Sequence, residues 1–264
     1  MTRLRALLLK ELLDLKRNPA TLAPVLIVTA ISFAVPVAVV AVIPALTGRP
    51  LGDDADLVRI SAAVGLRSGL SENGRVQLFL VQQFLMLFLL TPITGAMAIA
   101  AHAVVGEKQA RTLEPLLATP LTTIELLLAK VLGAALPTLA ISIVGLMIYV
   151  GAMGFAVEPG VIGAVFGART FVLVGVVGPL AALVSLQAAI VVSSRVNDAR
   201  AAQQFGVLIV VPLIGILVAE FSGTLWLSAS ALGLIGLGLL GTWLLLLALS
   251  ALLFDRETIL TRWK

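Results

Sequence analysis

The densest run of chemically capable side chains is EKQARTLEPLLATPLTTIELLLAK, from Glu107 to Lys130. Glu107, Lys108, Arg111 and Glu114 offer charge of both signs. Thr112 is placed to cap a short helix beginning at Leu113. Pro115 is tolerated in its first turn because the missing amide proton has no intrahelical acceptor there. Leu116 and Leu117 continue that helix, Thr119 and Pro120 end it, and Thr122 with Glu125 forms a Thr-x-x-Glu capping box that restarts the chain. The chemistry on offer is mechanical: a short charged helix pinned between two longer ones can receive force from a cytoplasmic partner. A solvated loop with well-made caps fits the same residues.

Covalent and metal chemistry find little to work with. Cysteine is absent, which removes disulfides, thiolate catalysis and Cys-based metal sites. His102 is the single histidine, and a lone imidazole near a helix end reads as a structural hydrogen-bonder before a proton relay, so no metal site is expected. Intramembrane catalysis would need paired carboxylates, a serine with a base, or His and Glu ligands facing each other across helices, and no such set is present. The chain also lacks a G-x-x-x-x-G-K-[ST] phosphate loop, so it does not hydrolyse ATP by that route. No catalytic residue, cofactor or metal is assigned to this chain.

The elements that position these residues follow from composition. Of 264 residues, 60% are hydrophobic and only 12% charged, and the mean hydropathy is +1.12. A soluble domain of this size could not hide that much apolar surface. Charges collect at a few nodes separated by neutral stretches near or above the roughly 20 residues that cross a bilayer as a helix. The expectation is an all-α polytopic membrane protein with about six spans in one transmembrane domain, at 21–46, 76–105, 126–157, 170–192, 201–219 and 232–253. Residues 1–18 read as an interfacial helix, with Leu4, Leu8, Leu12 and Leu15 on one stripe and Arg3, Lys10, Asp14 and Arg17 opposite. The first apolar run follows this charged segment and is too long for a signal peptide. The extracytoplasmic segment 47–75 carries Leu57, Ile60 and Val64 at helical spacing, 106–125 is the cytoplasmic loop, and 220–231 reads as a re-entrant or interfacial element. Pro36 is the expected kink of the first span.

Lys and Arg set the orientation. Arg3, Arg5, Lys10, Lys16, Arg17, Lys108, Arg111, Lys130, Arg195, Arg200, Arg256, Arg262 and Lys264 fall on one side, against Arg49, Arg59, Arg67, Arg75 and Arg169 on the other. The excess marks the cytoplasmic face and puts both termini there, in a cell inner (plasma) membrane. The net charge of +4 therefore reads as membrane orientation, not nucleic-acid binding. Ionisable residues sit at span ends only, which lowers ATP-independent secondary transport. Glu220, at an outer helix end, reads as solvated before it reads as a pathway residue. Within the spans, Gln83, Thr91 and Thr94 share a side of the second, and Gln203 and Gln204 mark the inner end of the fifth. Such groups either line a route or tie helices together. Gly233, Gly236, Gly238 and Gly241 allow close helix approach in the last span, which suits a membrane scaffold as well as a transporter.

Glu107-Lys108, Thr112-Leu113-Glu114, Leu116-Leu117, Thr119-Pro120-Leu121, Glu125 and Lys130 resemble the signature of the ABC-2 type permeases, the membrane subunits of ATP-binding-cassette exporters. Lys10-Glu11-Leu12 and Lys16-Arg17-Asn18-Pro19 are similar to the elbow helix of that family, and 197–212 is family-like too. Arg111 and Ala129 stand where the family commonly has glycine. The resemblance implies a six-span half-transporter working as a homodimer or a related heterodimer, with spans two and five flanking the dimer interface. It further implies that Glu107 to Thr119 acts as a coupling helix on a separate ATPase that binds ATP and Mg.

Overall fold

The computed structural model describes residues 2–17, 19–64, 69–109, 123–195, 204 and 207–253. Among these there is no strand. Helix α1 (Thr2–Arg17) realises the N-terminal amphipathic pattern, but rotated from expectation. Leu7 and Glu11 are its buried residues, Leu8, Leu12, Leu15 and Lys10 are half-buried, and Leu9 and Leu13 are exposed. Lys10 thus turns toward the bundle and not away from it, because opposite charges wait there.

A 3-10 turn (Pro19–Leu22) leads into the first span, α2 (Ala23–Val37) and α3 (Ile43–Thr47), which Gly48 ends in the left-handed region at φ 65°. The helix runs through Pro36 unbroken. The irregularity is instead a wide π turn over Ala38–Val42, closed by the Ile43 amide on the Ala38 carbonyl just before Pro44. A π turn moves the carbonyl that the proline ring would otherwise strike. Helix α4 (Ala55–Ala63) follows, capped by the Asp54 carboxylate, which accepts from the Asp56 and Leu57 amides at 3.0 and 3.1 Å. Leu57, Ile60 and Val64 pack on the core, as their spacing predicts.

The second span is α5 (Glu72–Leu87), capped by Ser71, and α6 (Leu90–Gln109). It breaks at Phe88–Leu89, four residues before Pro92. The Phe88 carbonyl, left without the Pro92 donor, accepts the Thr91 amide at 3.1 Å instead. Helix α7 (Thr123–Ala156) is the third span, followed by the short α8 (Val161–Val165). The fourth comprises α9 (Ala168–Val172), a second π turn (Leu173–Val177) and α10 (Gly178–Arg195), with Pro179 directly after the wide turn. Helices α11 (Val207–Phe221) and α12 (Ala229–Leu253) complete the fold, joined by a non-helical strap over 222–228.

Among the described residues, five helical stretches are long and apolar enough to cross a membrane: Ala23–Thr47, Glu72–Glu107, Leu128–Ala156, Ala168–Ser193 and Ala229–Ser250. Helix α11, which overlaps the crossing expected at 201–219 and runs on to Phe221, is apolar but shorter over its described residues. Ile27, Ile31, Met147, Phe155, Leu234, Leu237 and Leu245 are more than half exposed, a continuous greasy exterior that only lipid or another apolar partner can cover.

The second span is the axle. In its apolar stretch 83% is buried, against 11% for Ala229–Ser250. Two cores stack along it. One, toward the N-terminal end of the bundle, is rich in alanine (Ala96, Ala100, Ala134, Ala135, Ala182, Ala189) and lets α6, α7 and α10 approach closely. The other is rich in large side chains, including Phe79, Phe84, Phe88, Tyr149 and Leu173. Glycines set the tightest crossings. A Cβ on Gly95 would lie 2.6 Å from Val25 and 2.9 Å from Thr138, and one on Gly145 would lie 2.8 Å from Thr29 and 2.9 Å from Phe88. In the last span only Gly236 meets a neighbour this way, at 2.9 Å from Val176, whereas Gly233, Gly238 and Gly241 face open space.

At the far end, Glu158 staples the α7–α8 turn to the start of α5. It accepts hydrogen bonds from Asn73 (2.7 Å) and Ser71, and its own amide donates to Gln77 at 2.8 Å. The Asn73 and Ser71 donors hold its carboxyl below the usual 4.5. A depressed carboxylate pKa gives stability that is present above the unfolded value and lost as pH falls through the folded one. The thermal midpoint is therefore expected to drop as pH is lowered below 4.5, and Glu158→Gln should flatten that part of the profile. Gly95→Val should cost about 1–3 kcal/mol by overpacking, read as a lower midpoint in detergent.

Candidate coupling site

The base of the 106–125 loop is a lattice of charge. Glu107, in the last turn of α6, is only 7% exposed, and its carboxylate is shared by two ammonium groups. Lys130 donates to one oxygen at 2.7 Å, and Lys10 of α1 pairs with the other. Lys130 is 1% exposed; it also donates to the Ala103 carbonyl at 2.9 Å and lies 3.5 Å from Glu11. Lys10 closes the ring with Glu11 at 3.3 Å and Asp14 at 3.4 Å. Three helices, α1, α6 and α7, are thereby joined around one carboxylate.

Local sequence makes this geometry. Lys10, Glu11 and Asp14 share a helix face by their i, i+1, i+4 spacing. Gly133 lies one turn beyond Lys130 on α7, and a Cβ there would sit 2.7 Å from Glu11, so glycine is what admits α1 close enough for the contact. Burial works against the charge of Lys10, yet Glu107, Glu11 and Asp14 outweigh it and hold its pKa above the ordinary 10.5. A half-open cavity of about 430 Å³ lies beside the lattice, with Leu15, Ile99 and Ala103 on one wall and Asp14, His102 and Glu107 among its polar lining.

Glu107 therefore points inward, where the sequence suggested a handle on the cytoplasmic surface. Lys108 lies in the last turn of α6. Arg111, Thr112, Leu113, Glu114, Leu116 and Leu117 lie outside the described residues, as do Thr122 of the capping box and Gln203. Gln204 is exposed. Gln83 and Thr91 are fully buried on the second span, and among the described residues their side chains have no hydrogen-bond partner. Thr94 turns back on its own helix, donating to the Leu90 carbonyl at 2.7 Å. The interhelical ties are made by others: Tyr149 donates to the Val81 carbonyl at 2.8 Å, and Gln187 donates to Ser250.

A second buried charge pair sits at the far end, and it overturns the solvated reading of Glu220. Glu220 is wholly buried and receives Arg169 on both oxygens, at 3.0 and 2.8 Å. The Arg169 guanidinium also donates to the Leu227 carbonyl and stacks 4.1 Å over the Trp226 ring. The Leu227 amide returns a bond to Glu220 at 2.9 Å, so the strap is bound by its backbone to both charges. Sequence reasoning missed both lattices. The available signal was the scarcity of charge: Glu220 is the lone charge of α11, and Lys130 shares α7 only with Glu125 in its first turn.

An apolar exterior and several helices long and apolar enough to cross a bilayer define a multi-pass membrane protein. The family described as "ABC-2 family transporter protein" matches residues 5–233, and the chain belongs to that family. No curated protein matches its sequence.

Removing one partner of a buried ion pair strands the other charge, at a cost of about 3–5 kcal/mol. Glu107→Gln is expected to lower thermal stability at the low end of that range, because the amide still accepts a hydrogen bond. The double variant Glu107→Leu/Lys130→Met should recover most of the loss in a double-mutant cycle, since it leaves no orphaned charge. Strict additivity of the two single losses would refute the pairing.

Proposed function

We propose that this chain is the membrane-spanning subunit of an ABC exporter, moving substrate across the plasma membrane with energy from ATP hydrolysed by a separate cytoplasmic ATPase. ATP and Mg bind in that partner, and this chain contributes no cofactor site or metal site. It works with a second permease copy, identical or related, surrounded by lipid and without nucleic acid. Both termini face the cytoplasm, as the distribution of Lys and Arg supports.

The observation that carries this reading is the shared carboxylate of Glu107. A push on residues 110–122 reaches the bundle through the end of α6 and the start of α7, and these are joined to each other and to α1 by Lys130 and Lys10. Glu107 and Lys130 act in this reading as the anchor of the lever. Arg111, Thr112, Leu113, Glu114, Leu116 and Leu117 supply its contact with the ATPase, with Lys108 beside them.

Bending has a place to occur. The π turn at Ala38–Val42, the break at Phe88–Leu89 and the π turn at Leu173–Val177 each lie about 19 residues, roughly 28 Å of helix, from the N-terminal end of the bundle. A layer of discontinuities in three spans lets the alanine-rich half tilt against the half closed by Arg169 and Glu220. Gln83 and Thr91, buried and unpaired, flank that layer and are the pathway residues this reading favours; Thr94, Gln203 and Gln204 are secondary. A second copy finds apolar surface on α11, where Val211, Ile214 and Val218 are exposed.

The test is reconstitution with the ATPase encoded beside or co-purifying with this chain. Arg111→Glu and Glu114→Lys should lower substrate-stimulated transport at least tenfold while the variants insert normally and the ATPase still hydrolyses ATP. Unchanged coupling in both variants, or a purified assembly without an ATPase, would sink the reading.

A further inference from the structure

Helix α1 has two faces with opposite electrical fates. On the inner face Lys10 is surrounded by Glu11, Asp14 and Glu107, and every acidic residue of the helix is spent there. The outer face carries Arg5, Leu9, Leu13, Lys16 and Arg17, all exposed, the two leucines at 51% each. At 100° per residue, Arg5 and Lys16 flank the Leu9–Leu13 ridge on one side and Arg17 flanks it on the other. That face holds no carboxylate, and among the described residues the ion pairs of α1 all run through Lys10, Glu11 and Asp14.

We propose that the outer face of α1 is a binding surface for anionic phospholipid headgroups, with Arg5, Lys16 and Arg17 as the phosphate contacts and Leu9 and Leu13 seated at the acyl boundary. Two observations select this occupant. Cations bracketing an apolar ridge match the layer where headgroup phosphates give way to hydrocarbon. An acidic protein or a nucleic acid would satisfy the cations and leave the leucines in water. The site is also wired to the loop base, because the same helix supplies Lys10 and Glu11 to the Glu107–Lys130 pair. Headgroup occupancy therefore sets how firmly α1 is held when the loop is pushed. This last consequence rests on the exporter reading; the lipid contact itself does not.

The test uses the full chain in vesicles of phosphatidylcholine containing increasing fractions of phosphatidylglycerol. Spin-labelled versions of each lipid report the fraction immobilised at the protein surface. The natural protein should retain phosphatidylglycerol several-fold over phosphatidylcholine, with the preference fading as salt is raised. The variant Arg5→Gln/Lys16→Gln/Arg17→Gln should lose most of that preference. Equal retention of both lipids by the natural chain overturns the proposal, as does an unchanged preference in the variant. If the triple variant fails to insert, the salt series on the natural chain decides, and a preference indifferent to salt counts as refutation. No ATPase is needed for this readout, so its failure would leave the exporter reading intact, and failure of the Arg111 and Glu114 tests would leave the lipid site intact.

Discussion

A carboxylate and an ammonium taken out of water must find each other, and that requirement organises both ends of this bundle. At one end the Glu107 carboxylate is claimed by Lys10 and Lys130 together, and three helices cannot separate without breaking the buried Glu107–Lys130 pair. The pair adds little net stability over a well-packed apolar alternative, since desolvation offsets most of the attraction. What it adds is register. Glycine at 133 is needed because Glu11 has to reach Lys130, and the inward turn of α1 follows from the same demand. The far end repeats the solution with different chemistry: one terminal nitrogen of Arg169, Nη2, donates to both oxygens of Glu220, while Trp226 shields the guanidinium face.

Between these fixed ends the packing changes character. Alanines in the half nearer α1 permit backbone proximity among α6, α7 and α10, so that half is held by close van der Waals contact. The other half is filled by Phe79, Phe84 and Tyr149, whose rings pack edge-on, tilted or stacked with Phe221, Phe88 and Trp226. The three discontinuities fall on the large-side-chain side of this boundary, each tied to a proline: Pro44, Pro92 and Pro179. A helix interrupted there lacks the continuous hydrogen-bond ladder that would resist bending. Pro137 and Pro212 lie inside uninterrupted helices, so a proline alone does not decide where a span breaks.

How much of this was legible beforehand follows from the range of each signal. The first four spans and α12 were readable because charge-free length is a local property, and α4 was readable from Leu57, Ile60 and Val64 because periodicity is local too. The N-terminal helix was readable as a helix but not in its rotation. Its leucine stripe suggested one face, whereas the buried face is set by Glu107 and Lys130, more than a hundred residues away in the case of Lys130 and nearly so for Glu107. Ion pairs are non-local, and a sequence shows a charge without showing its partner. Glu220 is the sharpest instance: beside a polar strap it reads as solvated, and only the fold brings Arg169 to it. The same limit applies to Pro36 and Pro44, where the sequence offers two prolines and the fold places the wide turn before the second.

Gln83 and Thr91 pose the remaining question of energetics. Both are fully buried with unpaired polar atoms, a burden of about 1–3 kcal/mol each. Both lie in the buried middle of the second span, Thr91 in the first turn of α6, and apolar residues of similar size would serve the static core better. They lie on the most buried span, on either side of its break, which is the segment whose surroundings change most if the two halves tilt. A polar group that is unsatisfied in one arrangement and satisfied in another biases the equilibrium between them by the cost it relieves. In this arrangement the two side chains cost energy in the middle of the span while the buried ion pairs hold its surroundings in register at either end.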